Sequence, residues 1–185
     1  MASITLAMLY GGLKTILLFS LCAAASTEIY NITKRCKYSL EESVIACVCC
    51  LGPFVAASMA MNNEHIVQTL CIVWASDSGA LITGTVFKGP KFGSISPKKT
   101  YSGLVGGILC GYLAALAVKY DDSSENIIII CIATQLGDII ESAAKRLADL
   151  KDSNVYFYIP GHGGLLDRID GLLMALPIAC AIYHR

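Results

Sequence analysis

Two polar stretches interrupt the apolar second half of this chain. Residues 137–146 read GDIIESAAKR, and residues 160–170 read PGHGGLLDRID. Both set carboxylates beside lysine or arginine, and the second also contains a turn rich in glycine. A charged side chain inside a membrane is costly, so such residues usually face a polar cavity and mark function. We therefore expect the chemistry of this protein in these two stretches.

The second stretch has the residue types of a divalent-cation site. A helix that begins near Leu165 places Asp167 and Asp170 one turn apart on one face, close to the positive end of the helix dipole. Carboxylates are ligands that Mg²⁺ prefers, and Mg²⁺ is typically held by one or two of them together with substrate phosphates. Arg168, between the two acids, has a fork-shaped guanidinium group that can donate hydrogen bonds to a phosphate. Capping of the last helix by these acids is the alternative interpretation.

The first stretch predicts a polar stripe along one face of a helix. Its members recur every three or four residues: Gln135, Asp138, Ser142 and Lys145. Residues at this spacing share a helix face, and Asp138 lies about 10 Å from Lys145 along the axis. We expect the stripe to line a polar cavity. A structural ion pair between Asp138 and a neighbouring lysine is the alternative.

Two further polar features precede these stretches. Residues 94–100 read SISPKKT, and the paired Lys98 and Lys99 on a Ser-Pro turn can bind a nucleotide phosphate or a lipid headgroup. The same lysines can instead be a charge cluster that only sets membrane orientation. Asp77 lies in an apolar stretch, so it must face the same cavity, be protonated or be paired.

The elements that must position these residues are membrane helices. The chain of 185 residues is 55% hydrophobic and only 15% charged, which is too apolar for an ordinary soluble domain. Apolar runs that approach the length of a membrane-spanning helix occur at 3–25, 43–61, 65–87, 101–120, 126–143 and 171–183. We predict an all-α polytopic membrane protein with about six transmembrane helices, as a single membrane domain over residues 1–185.

The basic residues predict the orientation of these helices. Lysine and arginine occur in the first, third and fifth loops, whereas residues 62–64 and 121–125 contain neither. The positive-inside rule then places the odd-numbered loops, and a polar cavity that opens toward them, on the cytoplasmic side. One alternative is a cleaved signal peptide that ends near the small residues 23–26, which would put Lys34 outside, against this charge bias.

Cysteines and net charge are less specific. Most of the nine cysteines are scattered singly through apolar runs, where cysteine behaves as a small hydrophobic residue. Only residues 47–50, which read CVCC, suggest a metal or disulfide site, and no second pair follows at zinc-site spacing. The formal net charge is zero, so nothing indicates a nucleic-acid partner.

Taken together, the polar segments resemble the signature of the phosphatidate cytidylyltransferases, also called CDP-diacylglycerol synthases. The resemblance covers residues 74–172 and is strongest in the run HGGLLDRID at 162–170. Residues 1–73 match only in hydropathy, and typical members carry additional N-terminal helices. Gly171 stands where serine is common, and Ser102 replaces a frequent glutamate. These departures concern efficiency and substrate fit more than reaction type.

The resemblance implies transfer of a cytidylyl group from CTP to phosphatidic acid, with CDP-diacylglycerol and pyrophosphate as products. It implies catalytic roles for Asp138, Lys145, Asp167 and Asp170, the three aspartates being ligands of Mg²⁺, with a second cation left open. The residues expected to bind substrate are Asp77, Ser96, Lys98, Lys99, Ser142, His162 and Arg168. The expected partners are CTP, phosphatidic acid and the lipid bilayer, with a homodimer left open and the bacterial inner (plasma) membrane as the location.

Two other functions stay open at the level of sequence. A CTP-dependent lipid kinase would use the same metal-binding and nucleotide-binding groups to transfer a phosphoryl group. A channel or transporter could place Asp77 and Asp138 along an ion path. The second alternative gives no reason for two acids to follow a glycine-rich turn.

Overall fold

The computed structural model describes residues 11–91, 99–150 and 164–184, with side chains described from residue 15 onward. These residues form six helices: α1 (Gly11–Arg35), α2 (Leu40–Ala60), α3 (Asn63–Phe87), α4 (Tyr101–Ala117), α5 (Ser124–Leu147) and α6 (Leu166–Tyr183). The prediction of an all-α protein is confirmed.

Four of these helices are long and apolar enough to cross a membrane. The segments are Thr15–Arg35, Leu40–Ala60, Asn63–Phe87 and Ser124–Leu147. Helix α4 is apolar but has only 17 residues, and α6 carries three charged residues near its start. The structure therefore supports a helical protein that crosses the membrane several times, with four candidate spans in the described residues.

The distribution of polar and apolar side chains is that of a protein surrounded by lipid. Leu81 and Phe87 are 70% and 72% exposed, and large apolar side chains are also exposed on the other long helices. Buried hydroxyl groups bond to their own helix: Ser58, Thr69 and Thr134 each donate to the carbonyl oxygen four residues earlier. An apolar exterior with internally satisfied polar groups suits a bilayer.

Helices α3 and α4 pack antiparallel through small residues. Gly103, Gly107 and Gly111 recur every fourth residue along α4, as in helix contacts of the small-xxx-small type. A Cβ atom added at Gly107 would meet the backbone oxygen of Ser76 on α3. This close contact brings the start of α4 beside the end of α3, and Lys99 is the second residue before α4 begins.

Helices α5 and α6 form a second close antiparallel pair. A Cβ atom added at Gly137 would collide with the backbone carbonyl of Asp170, and one added at Gly171 would meet Thr134 and the carboxylate of Asp138. Glycine is needed at both positions because the backbones approach so closely. The pair therefore places Asp138 and Asp170 side by side.

The first helix differs from its predicted bounds. The apolar run suggested an end near residue 25, whereas α1 continues to Arg35, so that Lys34 and Arg35 form its last turn rather than a loop. Cations at the C-terminal end of a helix interact favourably with its dipole, which explains the extension. Helix α1 also contributes to the core, because Ala25 is buried in one cluster with Leu166 of α6.

All nine cysteines are free thiols. Cys131 is completely buried, and its sulfur lies 2.5 Å from the position that a Cβ at Gly111 would take. Cys110 contacts Gly79 of α3 in the same way. These two cysteines act as small packing residues between helices, as the sequence predicted for the scattered ones.

Candidate active site

Lys99 joins the start of α4 to the middle of α5. It precedes Thr100, whose side chain caps α4 by accepting a hydrogen bond from the Gly103 N–H at 3.1 Å. The Nζ atom of Lys99 lies 2.5 Å from Oδ2 of Asp138 and also donates to the backbone oxygen of Gln135 at 3.5 Å. Both charged side chains are about one-fifth exposed, at 22% and 21%. The local cap of α4 thus holds this lysine against α5.

Two further carboxyl groups lie near Asp138, and we call Asp77, Lys99, Asp138 and Asp170 the Asp138 cluster. The carboxyl of Asp170 lies within hydrogen-bonding reach of Asp138, and Asp77 interacts electrostatically with Lys99 and both other acids. The Gly171 N–H donates to Oδ1 of Asp170 at 2.8 Å. Oδ1 of Asp77 is buried and has no hydrogen-bond partner among the described residues. The cluster therefore has three acids for one lysine.

A second group, the Lys145 cluster, consists of Lys145, Glu141 and Asp167. The Nζ atom of Lys145 lies 2.5 Å from Oε2 of Glu141 and 2.5 Å from Oδ1 of Asp167. The other oxygen of Asp167 accepts a hydrogen bond from the Gly164 N–H at 2.8 Å. Both oxygens of Asp167 are thus engaged, and the lysine joins the last turns of α5 to the first turn of α6.

The Asp138 cluster suits a divalent cation in its chemistry. Carboxylate oxygens are the ligands that Mg²⁺ prefers, and a buried oxygen without a partner, such as Oδ1 of Asp77, is costly to leave unsatisfied. In the described parts of the chain, no three acidic, histidine or cysteine side chains already stand at the spacing of a metal site. Of the three predicted ligands, Asp138 and Asp170 are adjacent, whereas Asp167 is bonded to Lys145.

The other predicted substrate-binding residues are spread around the two clusters. Ser142 is partly buried on α5, one turn after Asp138, and Arg168 is exposed in the first turn of α6. Ser96, Lys98 and His162 lie outside the described residues.

Two buried glutamates contact the site although the sequence did not indicate them as site residues. Glu141 pairs with Lys145, and its spacing of four residues from a lysine on one helix was the available signal. Glu28 on α1 accepts hydrogen bonds from the N–H groups of Leu165 and Leu166, both at 2.8 Å. The available signal for Glu28 was its isolation in the sequence, because residues 15–33 contain no other charged side chain.

Known proteins of similar sequence include three phosphatidate cytidylyltransferases. That of Rickettsia felis is 36% identical over 168 residues, which cover 82% of this chain and 73% of the relative. That of Haemophilus influenzae is 34% identical over 157 residues, 72% of this chain and 54% of the relative. That of Staphylococcus aureus is 37% identical over 124 residues, which cover 62% of this chain and 47% of the relative.

The last two alignments span only about half of the relatives' length. The model of the cytidylyltransferase family, in contrast, matches residues 1–185, the entire chain. This chain therefore belongs to the cytidylyltransferase family.

Proposed function

We propose that this protein transfers a cytidylyl group from CTP to phosphatidic acid and releases pyrophosphate. The observation that carries the proposal is the meeting of Asp138 with Lys99 and Asp170, which come from three different segments of the chain. Family membership and the names of the relatives agree with it. A nucleoside triphosphate and its metal ion require acids that bind the metal and a lysine that binds the phosphates.

The proposed reaction is a displacement at the α-phosphorus of CTP. An oxygen of the phosphatidic acid phosphate forms a bond to this phosphorus. The bond from phosphorus to the oxygen that bridges to the β-phosphate breaks, and pyrophosphate leaves with that electron pair. The attacking oxygen is anionic near neutral pH, because the second pKa of a phosphate monoester is about 6. The protein therefore has to align the reactants and offset their charge, and it needs no strong general base.

The two lysines can contact phosphate without giving up their present partners. A lysine ammonium has three N–H donors. Within the described residues, Lys145 uses two of them, toward Glu141 and Asp167, and Lys99 uses two, toward Asp138 and the Gln135 carbonyl. Each lysine thus has a third donor for a phosphate oxygen, and the acids fix the direction in which it points.

We propose that Asp138 and Asp170 hold Mg²⁺, with Asp77 as the nearest further carboxylate. When bound, Mg²⁺ would offset negative charge on the phosphates of CTP and on the leaving pyrophosphate. Asp167, the third ligand predicted from the sequence, would have to release Lys145 or the Gly164 N–H to take part. Its proposed role here is to hold Lys145 in place.

We further propose that the site faces the cytoplasm across six spans of the bacterial inner membrane. The alternation of basic and non-basic loops supports this orientation. Reporters fused singly after Lys37, Lys99 and Lys151 should read cytoplasmic, and reporters at Asn62 and Asp121 should read external. An external reading after Lys99 would overturn the proposed orientation.

A paired-label assay tests the reaction and separates it from its alternatives. Purified protein in detergent receives phosphatidic acid, Mg²⁺ and CTP labelled at either the α-phosphate or the γ-phosphate, and the lipids are then extracted. Cytidylyl transfer carries only the α-label into lipid, whereas a lipid kinase given a lipid acceptor carries only the γ-label. Label in neither case, from folded protein, would contradict the proposal and favour a transport role. Asp138→Asn serves as the inactive control.

A further inference from the structure

The carboxylate of Glu28 reaches from α1 to the first turn of α6. The residue is only 6% exposed. Its Oε1 accepts a hydrogen bond from the Leu165 N–H and its Oε2 accepts one from the Leu166 N–H, both at 2.8 Å. Each oxygen thus satisfies a separate backbone donor at the start of the helix that carries Asp167 and Asp170.

Helix α6 relies on these bonds because it has no side-chain cap of its own. The first N–H groups of a helix have no partners within the helix. Leu165, at the N-cap position, makes no side-chain capping bond, and Asp167 accepts from the Gly164 N–H instead. A carboxylate from another helix fills the place of the missing cap, with the charge that the helix dipole favours at this end.

Apolar contacts hold Glu28 in this place. Ala25 and Ile32 are three and four residues away from Glu28, so all three share one face of α1. Both apolar residues belong to a buried cluster that includes Leu166 and Ile169 of α6. The carboxylate is therefore part of a packed interface between the two helices.

We propose that Glu28 is a positioning residue for the cytidylyl transfer proposed above, on which this inference rests. It fixes the first turn of α6 and thereby sets Asp167 against Lys145 and Asp170 against Asp138. Leu166, which Glu28 binds, is the direct neighbour of Asp167 in sequence. Misplacement of a catalytic group by about 1 Å can cost about 100-fold in rate. A loosened first turn should therefore impair turnover before it impairs folding.

Two substitutions of Glu28 and one matched control test this role in the full chain. Glu28→Ala removes both acceptors, whereas Glu28→Gln keeps the size and one acceptor oxygen. Glu42→Ala is the control, because Glu42 also accepts from a backbone N–H, that of Ser39 at 2.7 Å, and caps α2, which carries no predicted site residue. Measurements are kcat and KM for CTP and phosphatidic acid, and amide hydrogen exchange by mass spectrometry.

Glu28→Ala should lower kcat about 10- to 100-fold, the usual range for residues that orient metal-site groups, with much smaller changes in KM. Glu28→Gln should lie between Glu28→Ala and the parent protein. Exchange should rise in residues 164–170 and stay unchanged in the other helices. Glu42→Ala should keep the parent kcat and raise exchange only at the start of α2.

Two results would overturn the inference. One is a parent-like kcat in Glu28→Ala although exchange rises in residues 164–170, because the turn would then be irrelevant to turnover. The other is a loss of activity with exchange raised throughout the bundle, which would make Glu28 a residue of general stability. Absence of CDP-diacylglycerol from the parent protein would contradict the proposed function instead, while the exchange data would still report whether Glu28 holds the turn.

Discussion

The two lysine clusters use the same residue types but differ in the number of acids for each lysine. Lys145 lies between Glu141 and Asp167, and both oxygens of Asp167 have partners. Lys99 bonds to Asp138, and each cluster has one buried carboxylate oxygen without a hydrogen-bond partner in the described structure, Oδ1 of Asp77 and Oε1 of Glu141. The Asp138 cluster has three acids for one lysine and the Lys145 cluster has two, so the Asp138 cluster is the one that a bound cation would stabilise more.

The clusters also differ in how far apart their members lie in sequence. Glu141 and Lys145 are one helical turn apart, so their pairing follows from the helix alone. Lys99 precedes α4 and Asp138 lies in α5, so the two meet only when the bundle forms. We infer that the Lys145 cluster holds a lysine rigidly in place to donate a hydrogen bond to phosphate. The Asp138 cluster, in contrast, forms only when the bundle folds, and its acids need a bound ligand to offset their charge.

The largest effect should follow substitution within the Asp138 cluster. Asp138→Asn and Asp170→Asn keep the side-chain size but remove the charge that offsets a cation. Each should lower the rate about 100-fold or more, since loss of a metal ligand costs at least about 3 kcal/mol of transition-state stabilisation. Turnover of α-labelled CTP into lipid at matched protein amounts gives the measurement.

The double variant sharpens this test, because residues that act as a unit show non-additive effects. The variant Asp138→Asn/Asp170→Asn should be scarcely slower than the slower single variant. Multiplied losses, or substantial Mg²⁺-dependent turnover in Asp138→Asn, would show that the two acids do not share a cation.

A smaller loss is expected at Lys145. A hydrogen bond to a charged group contributes about 1.5–3 kcal/mol, or about 10- to 100-fold in rate, so Lys145→Ala should lose activity in this range. Arg146 is the control, since it is exposed and points about 100° away on the same helix. Initial rates at saturating CTP compare Lys145→Ala with Arg146→Ala. Equal losses at equal expression would mean that the Lys145 face does not contact substrate.

Sequence reasoning went furthest where local periodicity determines geometry. The spacing of Asp138 and Lys145 correctly predicted that they lie on one helix, and α6 begins at Leu166, next to the predicted start at Leu165. The prediction that Asp167 and Asp170 share one cation was less informative. Residues three positions apart on one helix can contact different partners on the neighbouring helix. Asp167 and Asp170 contact different partners because α5 and α6 pack closely at Gly137. The spacing of residues in the sequence does not predict this contact.

The contact of Glu28 with α6 was beyond sequence reasoning for a similar reason. The residue lies 137 positions from Leu165, and only packing of α1 against α6 brings the two together. A lone acid in an apolar helix indicates that a polar partner exists, but it does not indicate which one. The sequence leaves open an ion pair between Asp138 and a neighbouring lysine without indicating which one, and in the structure that lysine is Lys99.

Magnesium dependence should distinguish Asp77 from Asp167. If the cation belongs to the Asp138 cluster, Asp77→Asn should raise the Mg²⁺ concentration for half-maximal activity about tenfold, the lower end of the range for residues that support a metal site. Asp167→Asn should leave this concentration nearly unchanged and lower the maximal rate, as Lys145→Ala does. Mg²⁺ titrations of the three variants give the comparison. A raised Mg²⁺ requirement in Asp167→Asn alone would move the metal site to the start of α6.

The smallest effects concern the pair of helices α5 and α6, which carries residues of both clusters. In Gly137→Ala the new methyl group would meet the backbone carbonyl of Asp170, which cannot move aside as a flexible side chain could. Forcing α5 and α6 apart should lower the free energy of unfolding by about 1–3 kcal/mol, the usual cost of overpacking. Gly52→Ala on α2 is the control, because a Cβ there meets no atom within 4 Å. Removal of a helix glycine is favourable, but a Cβ on the residue before Pro53 is disfavoured in helical backbone, so we expect little net change in stability. The thermal unfolding temperature in detergent should therefore fall for Gly137→Ala and change little for Gly52→Ala. A Gly137→Ala protein as stable as Gly52→Ala would mean that α5 and α6 are not in close contact at Asp170.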